Sequence, residues 1–163
     1  MRLLLLTIVV LCVSACGYRL DGTFPAEHRT VSVDVFENRT FVPELGADVA
    51  EAVAREIQTR TPYRIAGVER SDTVLTGVVR RVEQDLLSRT PTTSLPQEVE
   101  VRVRIDFTWT DARTGAVLAS AEGLEQVGRF VPPGTVGERV EVGDRQAIDR
   151  LAADVVSLMR TGL

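Results

Sequence analysis

The chain has 163 residues, a hydrophobic fraction of 44% and a formal net charge of −4. That balance excludes wholesale disorder and a broad basic face for nucleic acid. All 19 basic residues are arginine, and one histidine and two cysteines leave no Cys/His cluster of metal spacing.

Met1-Arg2 gives a short positive start, and Leu3 to Val13 is almost unbroken apolar sequence. That run is too short for a permanent transmembrane helix and is flanked like an export signal. It ends in Val13-Ser14-Ala15-Cys16, an aliphatic residue, two small residues and a thiol. A bacterial lipoprotein signal peptidase requires this order, because small side chains fit its narrow site and the thiol is acylated before cleavage. Cys16 is therefore read as a lipidated mature N-terminus and residues 1–15 as a cleaved signal peptide. An ordinary secretory signal cut after a small-x-small triplet would instead leave Cys16 as a free thiol. Cys12 leaves with the leader, which argues against a disulfide. Gly17 stands where an aspartate usually retains lipoproteins in the inner membrane, so export to the outer membrane is expected.

From Gly17 to Thr30, Gly, Pro and charge occur without sustained periodicity, so residues 16–30 read as a lipidated start and a tether laid along the domain. Residues 31–163 read as one domain. Val31, Val33 and Val35 alternate with polar residues up to Phe36, a first strand, and Glu37 to Val42 is a polar loop. Pro43 and Glu44 suit a helix's first turn, and Leu45, Val49, Val53 and Ile57 recur every four residues as one apolar stripe. Pro62 ends that helix by pushing Thr61 out of helical geometry.

Tyr63 to Ala66 is a short strand candidate, followed by a turn region to Asp72. Thr73 to Leu87 reads as a strand with Val74, Val78 and Val82 on one face and Leu75 and Val79 on the other. Gly77 marks a bulge or a close neighbour. Ser88 to Pro96 reads as a loop. The cleanest signal is Gln97 to Thr110, where Val99, Val101, Val103, Ile105, Phe107 and Trp109 alternate with charged or polar residues. Asp111 to Gly115 is a hairpin turn, and Ala116 to Val127 returns as a partner strand. Gly128 to Gly143 reads as a mobile loop, and Ile148, Leu151, Ala152, Val155 and Leu158 or Met159 form a second helical stripe ending before Gly162.

One apolar face per helix and one on the central hairpin predict an α+β fold. It is a two-layer sandwich, with two helices on one face of a four- to five-stranded, largely antiparallel mixed sheet. The opposite face stays polar. His28 lies in the tether, and no nucleophile elbow, phosphate loop or HExxH motif occurs, so neither an enzyme nor a cofactor is expected. Glu98, Glu100, Arg102, Arg104 and Asp106 on one strand face are read first as a solvated face with cross-strand charge pairs.

Cys16-Gly17-Tyr18-Arg19-Leu20 resembles the start of the LptE family of outer-membrane lipoproteins of lipopolysaccharide assembly. Val33 to Thr40 with its Phe-x-Asn-x-Thr run, Pro43-Glu44-Leu45, the long hairpin and the closing helix extend the resemblance over the mature chain. It implies two helices on a four-stranded sheet, anchored by lipid on the periplasmic side of the outer membrane. It also implies a role as plug and folding aid of the LptD barrel, assisting lipopolysaccharide delivery to the outer leaflet. By region, it implies that Arg80, Arg81, Arg89, Arg102 and Arg104 bind lipopolysaccharide, since guanidinium pairs well with phosphate oxygens. The Phe-x-Asn-x-Thr stretch before a helix also resembles the periplasmic lipoproteins that activate peptidoglycan synthases or serve curli-type secretion.

Overall fold

A computed structural model describes residues 24, 25, 27–89, 96–130 and 140–161. The elements in chain order are β1 (Thr30–Val33), β2 (Glu37–Asn38), α1 (Leu45–Arg60), β3 (Arg64–Ile65), β4 (Thr73–Arg89), β5 (Pro96–Asp111), β6 (Val117–Phe130) and α2 (Val140–Thr161). A single turn of 3₁₀ helix, Val68–Arg70, joins β3 to β4.

The sheet runs β3-β1-β4-β5-β6, with β2 paired beside β1 on β4. Pairing is parallel among β1, β2, β3 and β4, and antiparallel from β4 to β5 and from β5 to β6. β1 and β3 are parallel neighbours, a geometry that needs a crossover, and α1 supplies it. The α+β sandwich expected from periodicity is the observed fold. Among the described residues its sheet has six strands when the two-residue β2 and β3 are counted.

Both helical stripes are buried: Leu45, Val49, Val53 and Ile57 on α1, and Ala147, Ile148, Leu151, Ala152, Val155, Val156 and Met159 on α2. They pack on Leu75 and Val79 of β4 and on Val101, Val103, Ile105, Phe107 and Trp109 of β5. Between sheet and helix, Phe36 is wedged at 2% exposure. A Cβ on Gly77 would lie 2.1 Å from its ring, and one on Gly46 would lie 2.1 Å from its carbonyl oxygen. Gly77 therefore marks a close neighbour, and the bulge lies elsewhere.

That bulge is at Arg80. Val79 opposes Ile105 and Arg81 opposes Arg104, so Arg80 is the extra residue. The phase of β4 shifts there. Val82 then opposes Val103, on the helix side, whereas the sequence reading grouped it with Val74 and Val78. A second irregularity, at Gly123 in β6 with φ +65°, offsets β6 against β5 between Ile105 and Phe107.

Several boundaries differ from the sequence reading: the first strand ends at Val33, leaving Val35 65% exposed instead of on its apolar face, and β4 and β5 reach Arg89 and Pro96. Glu44 does not enter the helix: it is the N-cap, in left-handed conformation at φ 61°, and its carbonyl accepts from Ala47 and Asp48 N–H. The loop Glu37 to Val42 contains β2 and is knitted by Asn38. Its Nδ2 donates to Val42 O at 2.7 Å and its Oδ1 accepts from Thr40 N at 2.9 Å. Finally, β6 runs to Phe130 and α2 begins at Val140, so the segment expected as a mobile loop from Gly128 is shorter, and residues 131–139 lie outside the described residues.

Candidate functional site: the charged sheet face and the docked tether

Opposite the helices, alternation on β5 projects Glu100, Arg102, Arg104 and Asp106 from the sheet, and β4 and β6 flank them with charge. Arg102 is the hub. Its Nη2 donates to Glu100 Oε1 at 2.8 Å, and its Nε lies 3.3 Å from Glu125 Oε1. Its Nη1 lies 3.7 Å from both Glu83 and Asp85. Arg129 Nε closes the other side of Glu100 at 3.0 Å. Arg104 donates to Glu125 at 2.9 Å, Arg81 to Glu83 at 2.9 Å, and Arg80 pairs with Asp106. Asp106 also accepts from Gly123 N–H at 2.7 Å. That amide and the Arg80 guanidinium hold its carboxyl below the usual aspartate range.

The bulge is what brings Arg80 and Arg81 onto one face, since consecutive residues of a regular strand point oppositely. Four of the five arginines expected from the resemblance are thus assembled, each against at least one carboxylate. The fifth, Arg89, ends β4 opposite Pro96, and its side chain lies outside the described residues. Sequence reasoning missed Arg129, Glu125, Glu83 and Asp85 as members. The face is a lattice of guanidinium–carboxylate pairs, with no arginine of these four left without a carboxylate partner among the described residues.

A second constellation holds the tether. Phe24 meets the Tyr63 ring edge-on at 5.6 Å, and Arg160 stacks over its other side with Cζ 5.3 Å from the ring centre. Tyr63 donates its hydroxyl to Pro25 O at 3.2 Å, and burial pushes its pKa up to about 12. His28 packs edge-on against buried Trp109 at 6.3 Å, with Nδ1 3.9 Å from Asp111. The Trp109 indole N–H has no hydrogen-bond acceptor among the described residues. Asp72 Oδ2 accepts from Arg29 N, Thr30 N and Thr30 Oγ1 at 2.8 to 2.9 Å, and these bonds, led by the Arg29 amide, lower its pKa. Cys16 lies outside the described residues.

Between the start of α1 and α2 lies a cleft of about 820 Å³, with Leu45 and Ile148 in its wall beside Glu51, Arg55 and Asp149. No group of three or more His, Cys, Asp or Glu residues placed to hold a metal occurs among the described residues.

No curated protein matches the sequence. Among solved structures, the chain is similar to the PelC dodecamer from Paraburkholderia phytofirmans. The identity is 21% and the TM-score 0.50, covering 85% of this chain and 94% of that one. It is also similar to uncharacterized lipoprotein B from Nitrosomonas europaea, at 18% identity and a TM-score of 0.52, covering 89% and 91%. A minor lipoprotein from Acinetobacter baumannii shares 14% identity at a TM-score of 0.50, covering 80% and 94%. At these identities the likeness is one of fold. The model of the lipopolysaccharide-assembly family LptE matches residues 29–161, from the docked end of the tether through the last turn of α2, and the chain belongs to that family of non-enzymatic lipoproteins.

Proposed function

We propose that this protein is an outer-membrane lipoprotein of lipopolysaccharide assembly, anchored through acylated Cys16 on the periplasmic side. It plugs an LptD-type barrel, assists the folding of that barrel and aids lipopolysaccharide delivery to the outer leaflet. The observation that carries this reading is the exposed sheet face of β4, β5 and β6. It is long and polar, and each of Arg80, Arg81, Arg102, Arg104 and Arg129 on it is paired with a carboxylate. A barrel lumen is lined by polar side chains and water, and a face whose guanidiniums are paired enters such a space without stranding an unpaired cation.

Arg80, Arg81, Arg89, Arg102 and Arg104 are the residues we assign to lipopolysaccharide phosphates. Contact proceeds by exchange: Arg81 and Arg104, with side chains 65% and 48% exposed, trade a carboxylate for a phosphate oxygen. Reversal of charge at Arg102 and Arg104 is expected to weaken lipopolysaccharide binding while the thermal transition persists. Unchanged binding returns these residues to the role of a solvated face.

Affinity capture of the tagged, lipidated protein from solubilised outer membranes tests the partner. Recovery of a large β-barrel supports the assignment. Recovery of a penicillin-binding protein with no barrel replaces it with the peptidoglycan-synthase-activating role.

A further inference from the structure

The arginines divide into two populations. Those on the sheet face are paired with carboxylates, but Arg29, Arg64, Arg70 and Arg113 are exposed and make no side-chain ion pair or hydrogen bond among the described residues. The fold gathers these four at one end of the sheet. Thr30 and Arg64 are register partners, and Arg64 N–H donates to Arg29 O. Thr30 Oγ1 reaches Arg70 O, and Ala112 N–H, next to Arg113, donates to Asp72 O. Val68, 58% exposed, and Val117, 48% exposed, lie in the segments beside them. Among the described residues, the acidic ones of this end are Glu27 and Glu69, which are exposed, and Asp72 and Asp111, whose carboxylates are engaged with backbone N–H groups.

This is also the end where the tether leaves the domain. The chain is gripped from Phe24 to Thr30, and eight residue steps separate Phe24 from Cys16. Fully extended, they span at most about 28 Å. By contrast β4, with 17 residues, carries the far end of the β4–β5 hairpin roughly 50 Å away along the sheet.

We propose that this end of the domain docks on the anionic phospholipid headgroups of the leaflet that holds the acyl chains, through Arg29, Arg64, Arg70 and Arg113 with Val68 among them. The short docked tether keeps these guanidiniums within reach of the surface, and each gains from the negative surface potential. In the protein that has not yet engaged a barrel, the domain then stands with its charged hairpin directed away from the membrane. This rests on the reading of Cys16 as the lipid anchor.

The test uses the lipidated protein in vesicles of phosphatidylcholine with or without phosphatidylglycerol, at low salt. A single nitroxide is placed either at Ala112→Cys, in the exposed turn, or at Leu87→Cys, far along β4, and its proximity to a headgroup-bound relaxation agent is read. Strong relaxation at position 112 and little at 87 is expected, only with phosphatidylglycerol present. Neutralisation by R64Q, R70Q and R113Q together is expected to lower the docking equilibrium constant by about fivefold per arginine, on the order of a hundredfold in all. Equal relaxation at both labels, or a contrast indifferent to phosphatidylglycerol and to the substitutions, would overturn the docking. The mass of the N-terminal peptide separates the two layers. An unacylated Cys16 sinks the anchor reading and the docking with it, whereas acylated protein without the contrast sinks the docking alone.

Discussion

Phe36 sits where two glycines make room for it. On the sheet side Gly77 leaves space for its ring, and on the helix side Gly46 admits its backbone carbonyl. Gly77→Ala places a methyl group into a side chain that is 2% exposed and has no room to move. A loss of about 1–3 kcal/mol is expected in urea unfolding. Phe36→Leu in the same chain should recover part of it, so the pair is less destabilised than the sum of the single changes. The Phe-x-Asn-x-Thr run that carries much of the family resemblance is thereby explained as architecture: Phe36 is the wedge, and Asn38 and Thr40 knit the loop that leads into α1.

Asp72 supplies a second prediction at this scale. Its carboxylate holds the Arg29 and Thr30 amides, and its pKa is lowered in the folded state. A carboxylate with a depressed folded pKa contributes stability above its unfolded pKa and loses it as pH falls through the folded value. Thermal unfolding followed below the ordinary aspartate range should therefore show a falling stability. Asp72→Asn should flatten part of that fall and loosen the tether at neutral pH. Asp106, Asp111 and Glu37 are shifted the same way and contribute to the slope that remains.

At the scale of elements, the β4–β5–β6 face behaves as a network and not as a set of independent pairs. Glu100 is buried on that face, its side chain 9% exposed and satisfied by Arg102 and Arg129. Arg102→Ala removes one of its partners and unpairs a hub that meets four carboxylates. A cost of about 1–3 kcal/mol is expected. Arg81→Ala, at the exposed rim with one partner, should cost about 0.5 kcal/mol or less by the same denaturation assay. Equal costs would mean that the face is only a row of solvated pairs.

The same elements show what is legible in a sequence. Strict alternation from Val99 to Trp109 announces β5 and its two faces, and four-residue spacing announces both helices. The bulge at Arg80 leaves no such mark, because the adjacent Val78 and Val79 before it let Val82 fit the alternation in either phase, and only the partner strand reveals the slip. Gly123 breaks the alternation of β6 in the same way and conceals Glu125 and Arg129 as members of the network. β4 and β5 outrun their expected ends because backbone pairing continues to Arg89 and Pro96, past the stretch where apolar and polar residues alternate. Left-handed Glu44 runs against the steric preference of any side chain, so propensity assigns it to the helix it merely caps.

Over the whole molecule, one core joins two helices to one side of a mixed sheet, while charge is sorted by location. Paired ions cover the long hairpin, and guanidiniums without a side-chain partner among the described residues cluster where the tether enters. Family membership places this chain in lipopolysaccharide assembly, and the proposal of a barrel plug gives its charged face a use. The most direct measurement is depletion of the protein in its native host, with newly made lipopolysaccharide followed by pulse labelling and membrane fractionation. The account predicts that lipopolysaccharide accumulates in the inner membrane and no longer reaches the cell surface. Normal surface delivery after complete depletion, with peptidoglycan synthesis impaired instead, would contradict it.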